Sequence, residues 1–291
     1  MERRVFVKLA STVAAWPLAS WAQQPKGNTR RIGWLEPGTP ASFPARREAF
    51  HKVMRDAGFV EGQNLVVDHR YSHGKIEQLP ALAADPVKEG LVASMARPGG
   101  NITGMVGIAW ELAGKRLELL REVAPKAARI AVLFDPRTAA GHAHVKETEA
   151  AARTLKLQLQ LLEVKEPADL DKAFKAARSA RAEALFIVAP GMLNSHRARI
   201  VGLAIEARLP SISSNVEFVG DGALMGYAPN LADNFRRVAT YVDRILKGAK
   251  PSDLPIEQPT QFELWINLKT AKAIGLAIPK SILGRADRVI E

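Results

Sequence analysis

The feature that most constrains this chain is a repeated alternation of short apolar strands with amphipathic helices, clearest over its second half. Arg129–Phe134 reads as a strand and 143–155 as a helix. Residues 157–164 and 168–181 repeat the pair, as do 184–189 and 193–207, and two short strands follow at 210–213 and 223–227. Strands that are apolar without alternation are buried on both faces, which implies a parallel sheet covered by helices on each side. That arrangement is a doubly wound α/β lobe. The first half opens in the same way. Residues 31–35 read as a strand, and Ala49, Phe50, Val53, Met54 and Ala57 form one stripe of a helix over 45–57. Gly58 closes that helix, and residues 64–69 supply the second strand of a βαβ unit.

The C-terminal part departs from the alternation. Leu231, Phe235, Val238, Val242 and Ile245 form a helical stripe closed by Gly248. A connector with Pro251, Pro255 and Pro259 leads to an extended piece over 262–267, and a last helix begins near Leu268. These shifts divide the chain into an N-terminal lobe of residues 23–108 with 229–250, a C-terminal lobe of 109–228, and a crossover strand and helix over 251–291.

Residues 1–22 are set apart as an export signal. Arg3-Arg4-Val5-Phe6-Val7-Lys8 resembles a twin-arginine motif, a mildly apolar core spans 9–19, and Ala19-Ser20-Trp21-Ala22 places small residues before a cleavage point near Ala22. The expected location is therefore the periplasm. The chain has no cysteine, which excludes disulfides, thiol nucleophiles and thiolate metal sites. The formal charge is +11, and Glu2, Arg3, Arg4 and Lys8 account for +2 of it. The remaining basic residues lie scattered along helix faces such as Lys172, Lys175, Arg178 and Arg181, without the clustering that nucleic acid requires.

Several stretches together resemble a known family. They are Ala57-Gly58-Phe59-Val60-Glu61-Gly62-Gln63-Asn64, Asp85-Pro86-Val87-Lys88-Glu89-Gly90-Leu91, Arg97-Pro98-Gly99-Gly100-Asn101, Lys115-Arg116-Leu117-Glu118-Leu119-Leu120 and Asn267-Leu268-Lys269-Thr270-Ala271. The chain resembles the ABC transporter substrate-binding proteins whose better-known members bind tryptophan, tyrosine and related solutes. The resemblance implies two Rossmann-like lobes of the type I periplasmic-binding-protein kind, with a hinge and an interlobe cleft. It implies a small carboxylate-bearing solute and a membrane permease as partners, a monomer, no nucleic acid and no cofactor.

One departure from that family stands out. From Gly74 to Gly100 no apolar strand appears, and helix-like 76–84 runs directly into helix-like 87–96. A strand, a helix and a second strand are expected between Ala84 and Asp85, so the N-terminal lobe is shortened by roughly 30 residues.

Candidate ligand contacts follow from strand ends, where parallel sheets present loops and helix N-termini to ligands. Gly38 and Thr39 follow the first strand, and the resemblance places Asp85 near the cleft. In the second lobe Asp135, Pro190, Asn215, Glu217 and Tyr227 sit at or just beyond strand ends. Each of these types also serves as an ordinary turn or cap residue.

Catalytic signatures are missing. His142 and His144 are two apart and do not share a helix face. No His-Glu-x-x-His, Gly-x-Ser-x-Gly or Gly-x-Gly-x-x-Gly occurs, so no catalytic residue and no metal ligand is assigned. The expectation is a binding protein rather than an enzyme. The alternatives are an α/β enzyme of amino-acid metabolism and a non-functional shortened paralogue.

Overall fold

The computed structural model describes residues 29–36, 44–71, 93–107, 109–189 and 191–291. The expected export signal, and with it Gly38, Thr39, Asp85 and Pro190, lie outside the described residues. Strand β1 (Arg30–Glu36) leads to helix α1 (Pro44–Asp56), and β2 (Leu65–Tyr71) pairs parallel to β1. After α2 (Ala113–Val123) come β3 (Arg129–Phe134), α3 (Ala139–Leu155), β4 (Gln158–Glu163), α4 (Asp169–Ser179) and β5 (Ala184–Ile187). Next are α5 (Met192–Ser195), α6 (Arg197–Glu206), β6 (Ser211–Ser213), α7 (Glu217–Gly220) and β7 (Met225–Pro229). The chain ends with α8 (Leu231–Leu246), β8 (Phe262–Asn267), α9 (Leu268–Ile274), α10 (Lys280–Leu283) and β9 (Arg288–Ile290).

Among the described residues these strands form two sheets. The larger runs β4-β3-β5-β6-β7-β8-β9, parallel from β4 to β7, with β8 antiparallel to β7 and β9 parallel to β8. Successive side chains of β3 point to opposite faces. Ile130, Val132 and Phe134 therefore join Leu117, Leu120, Phe186 and Ile212 under α2 and α3, while Ala131 and Leu133 join Phe174, Ile200 and Val201 under α4 and α6. This is the doubly wound lobe expected from the alternation. Residues expected as a separate crossover are built into it, since β8 and β9 extend its sheet and Leu264 and Ile266 enter its core.

The helices start and stop by local chemistry. Thr138, Asn230 and Asn267 each cap a helix by accepting a hydrogen bond from the backbone N–H three residues on. Gly275 ends α9 in the left-handed region, which glycine enters without a Cβ penalty. The helix expected over 193–207 is broken at His196, whose backbone is not helical, giving α5 and α6. The helix expected over 87–96 does not extend over its last described residues. There Ser94 Oγ bonds Arg97 and the Ala93 N–H donates to the Pro98 carbonyl, forming a turn ahead of the proline.

The smaller sheet contains β1 and β2 among the described residues. Helices α1 and α8 cover one face, where Phe50, Met54, Leu65, Val67 and Ala239 form a core of five buried residues. On the other face Arg31, Gly33 and Asp68 are exposed.

Two outcomes are expected. In native-state hydrogen exchange, amides of β3, β5 and β6 should be the slowest, and those of β1 and β2 should exchange faster through local opening. Equal protection of both sheets would contradict the difference in core size. Separately, a Cβ at Gly141 would lie 2.8 Å from Thr138 Oγ1 and inside contact distance of the Asp135 carbonyl oxygen, which belongs to rigid backbone. Gly141→Ala should therefore cost about 2 kcal/mol or more, read as a lowered urea midpoint.

Candidate functional site

Between the two sheets the described chain passes three times. The first passage precedes α2, the second joins β7 to α8, and the third joins α8 to β8. The first and third run side by side: Val106 N–H donates to the Glu257 carbonyl and Glu257 N–H to the Gly104 carbonyl. The second and third are joined by the Asn230 N–H to the Gln261 carbonyl.

Arg116 ties the first passage to the second. Its side chain is fully buried on α2, with Nε donating to the Tyr227 carbonyl at 2.7 Å and Nη1 to the Ala109 carbonyl at 2.5 Å. The guanidinium also lies over the Phe186 ring. Burial lowers its pKa to about 9, opposed by Tyr227, so it remains a cation at neutral pH. His144 on α3 is buried beside it and meets Trp110 edge to face at 6.4 Å. Desolvation first, and then the Arg116 charge, push the His144 pKa down to about 3. The imidazole is therefore neutral, which avoids two adjacent buried cations.

Asp135, Asn215, Glu217 and Tyr227, singled out in the sequence, differ in how their side chains are engaged. Asp135 follows β3, is fully buried and is held by Arg137, whose Nε and Nη2 donate to the two carboxylate oxygens at 3.0 and 2.7 Å. Its own backbone carbonyl accepts from Thr138 Oγ1. Asn215 follows β6 and donates from Nδ2 to Asn194 Oδ1 at 2.7 Å. Asn215 Oδ1 in turn accepts from the Glu217 N–H at 3.1 Å, which seats Glu217 at the start of α7. Tyr227 lies one residue beyond Gly226, where a Cβ would come within 2.9 Å of Val216 Cα and 3.4 Å of the Asn215 carbonyl oxygen. The Tyr227 ring stacks on Phe262 at the hinge, 6.2 Å between centroids.

Glu217 reaches the other lobe. Its Oε1 accepts from Arg46 Nη2 at 3.1 Å, with the two side chains 15% and 31% exposed. Arg46 stands in the first turn of α1, just after the loop that leaves β1. A chain of polar groups, Asn194–Asn215–Glu217–Arg46, thus runs from the β5 and β6 loops to α1. Sequence reasoning identified Asn215 and Glu217 but missed Asn194 and Arg46. Neither belongs to a motif, though Arg46 lies in a βα junction of the kind that already singled out Gly38 and Thr39.

Residues 76–290 match the family described as ABC transporter substrate binding protein. The chain belongs to this family of substrate-binding proteins. The tyrosine-binding protein of Clostridioides difficile is 20% identical, with 81% of this chain and 78% of that protein covered. The alignment spans 271 positions, whereas 81% of 291 residues is about 236, so about 35 positions of the relative have no counterpart here. That difference is close to the size of a βαβ piece.

Solved structures show the same fold. A conserved domain protein from Vibrio cholerae superimposes with a TM-score of 0.78 at 20% identity, over 90% of this chain and 99% of that one. A domain from Streptococcus pneumoniae in complex with L-Trp gives 0.73, also at 20% identity, over 90% and 100%. The ligand-free, open form of an adhesive substrate-binding protein from Clostridium difficile gives 0.63 at 20% identity, over 89% and 99%.

The buried His144 generates a pH prediction. Its folded pKa lies below the unfolded value of 6.5, so its contribution to stability is complete above pH 6.5 and is lost as pH falls toward 3. Between pH 7 and pH 5 this amounts to about 2 kcal/mol. Urea unfolding at the two pH values should show His144→Leu losing about that much less than the wild type. An identical loss in both proteins would exclude His144 as the source.

Proposed function

We propose that this protein is the exported binding component of an ABC importer, taking an α-amino acid between its two lobes and presenting it to a membrane permease. The division into residues 23–108 with 229–250 and 109–228 is part of this reading, as is removal of residues 1–22 in the periplasm. The observation that carries it is the Arg46–Glu217 pair between α1 and the β6 loop. An amino acid carries the same two charges in reverse, a carboxylate and an ammonium. On entering, the solute replaces one ion pair with two, its carboxylate on Arg46 and its ammonium on Glu217 and the Asn215 side-chain oxygen. Arg suits the first role because its planar fork matches a carboxylate.

Two-lobed binders close by hinge motion, and solute contacts to both lobes are what favour the closed form. Relatives of this chain include proteins named for tyrosine binding and solved with L-Trp. Trp110 and Tyr227, flanking the hinge, are suitable walls for such an aromatic side chain, and backbone amides near Gly38 and Thr39 would add donors. Asp85 and Pro190 remain candidate contacts on the same reasoning.

The test is calorimetric titration of the mature chain with amino acids, the matching deaminated acids and sugars. Aromatic or branched amino acids should bind. Glu217→Gln should weaken amino acids by about tenfold or more while sparing the deaminated acids. Arg46→Gln should weaken both. Binding of sugars alone would overturn the proposal, and so would an unchanged affinity in both variants.

A further inference from the structure

The smaller lobe brings together three side chains that sequence spacing does not connect. His51 lies in the middle of α1, His69 on β2, and Glu61 in the turn between them. Their nearest donor atoms all lie within 4.8 Å of one another. His51 Nδ1 and Glu61 Oε2 are 3.7 Å apart, too far for a hydrogen bond but near enough to share a ligand.

The two imidazoles are held by packing rather than left as loose surface groups. The Trp34 indole stacks parallel to the His51 ring at 6.4 Å and lies 5.9 Å from the His69 ring. Phe50 and Phe235 pack on Trp34 in turn. Glu61 is the exposed member, at 45% side-chain exposure, so the cluster opens to solvent on its side.

We infer that His51, Glu61 and His69 form a binding site for a divalent transition-metal ion, with zinc the best match. Two imidazoles and one carboxylate are a zinc donor set, whereas calcium and magnesium take oxygen ligands. Zinc bonds of about 2.0–2.1 Å in a tetrahedral arrangement bring donors to about 3.4 Å from one another. Modest side-chain rotations close the present separations to that value. The fourth coordination position faces solvent beside Glu61. The ion would bridge α1, the following turn and β2, cross-linking the lobe whose apolar core is the smaller. It plays no part in the amino-acid reading above, and neither depends on the other.

The test uses the untagged mature chain, stripped with a chelator. Calorimetry with Zn2+ should show one equivalent binding, and Co2+ should give a visible ligand-field band and quench Trp34 fluorescence. The thermal midpoint should rise with Zn2+ as mass action requires. Loss of an outer-shell partner alone costs about 10–100-fold in metal affinity, so His51→Ala, His69→Ala and Glu61→Gln should each lose at least about tenfold. His196→Ala, on the other lobe, should change nothing. Circular dichroism checks each fold. If the histidine variants fail to fold, the solvent-facing Glu61→Gln decides the matter by the same titration. Absence of saturable binding in the folded wild type overturns the site. So does binding that survives in folded variants at all three positions.

Discussion

A parallel strand in the middle of a sheet must have its backbone paired on both edges and its side chains covered on both faces, because no water reaches it. Strands β3, β5 and β6 meet this requirement: Val132, Phe186 and Ile212 are fully buried, and each strand has a partner on either side. The rest of the larger lobe follows from that demand. Helices α2 and α3 must cover one face and α4 and α6 the other, so every connection crosses from one end of the sheet to the other. The parallel strands β3 to β7 therefore deliver their following loops to the same rim. That is why Asn194, Asn215 and Glu217, which follow β5 and β6, are joined by hydrogen bonds on one rim. The same demand accounts for the C-terminal segment. Beyond β7 the sheet is continued by β8 and β9, supplied only after the chain has visited the other lobe.

The start of the larger lobe has its own anchor in Arg116. A buried guanidinium is costly to desolvate and is tolerated only with acceptors placed for it. Here the acceptors are carbonyls of Ala109, just before α2, and of Tyr227 in β7, so Arg116 fixes the start of the larger lobe to its sheet. The neutral state of His144 follows from the same crowding of charge. Farther out, Arg46 and Glu217 form a contact between lobes in a more hydrated setting, where an ion pair is readily exchanged for another of similar strength.

The two lobes are unequal. The larger has two extensive cores on opposite faces of a seven-stranded sheet, and the smaller has five buried apolar residues under α1 and α8 among the described residues. The alignment with the tyrosine-binding relative leaves about 35 of its positions without a counterpart in this chain. Among the described residues of the smaller lobe, the Trp34 indole packs on Phe50, Phe235 and His51 beside that core.

By itself the sequence determined the class of fold, because strand and helix periodicity are local properties: uninterrupted apolar runs such as Ile130–Phe134 announce doubly covered strands wherever they are placed. It also determined which loops follow strands, and so pointed to Asp135, Asn215 and Glu217, and its quoted stretches marked the family. It did not determine what those side chains do. Asp135 looked available and is fully taken up by Arg137, two residues on, because the turn folds the guanidinium back over the carboxylate. Arg46 belongs to no motif and meets Glu217 across 171 positions of chain. His51, Glu61 and His69 follow no ligand spacing, yet a helix antiparallel to its next strand brings them together. Only tertiary structure decided these pairings, because which charge faces which across a fold depends on how whole elements pack, and that is set by the sum of distant apolar contacts rather than by any local pattern.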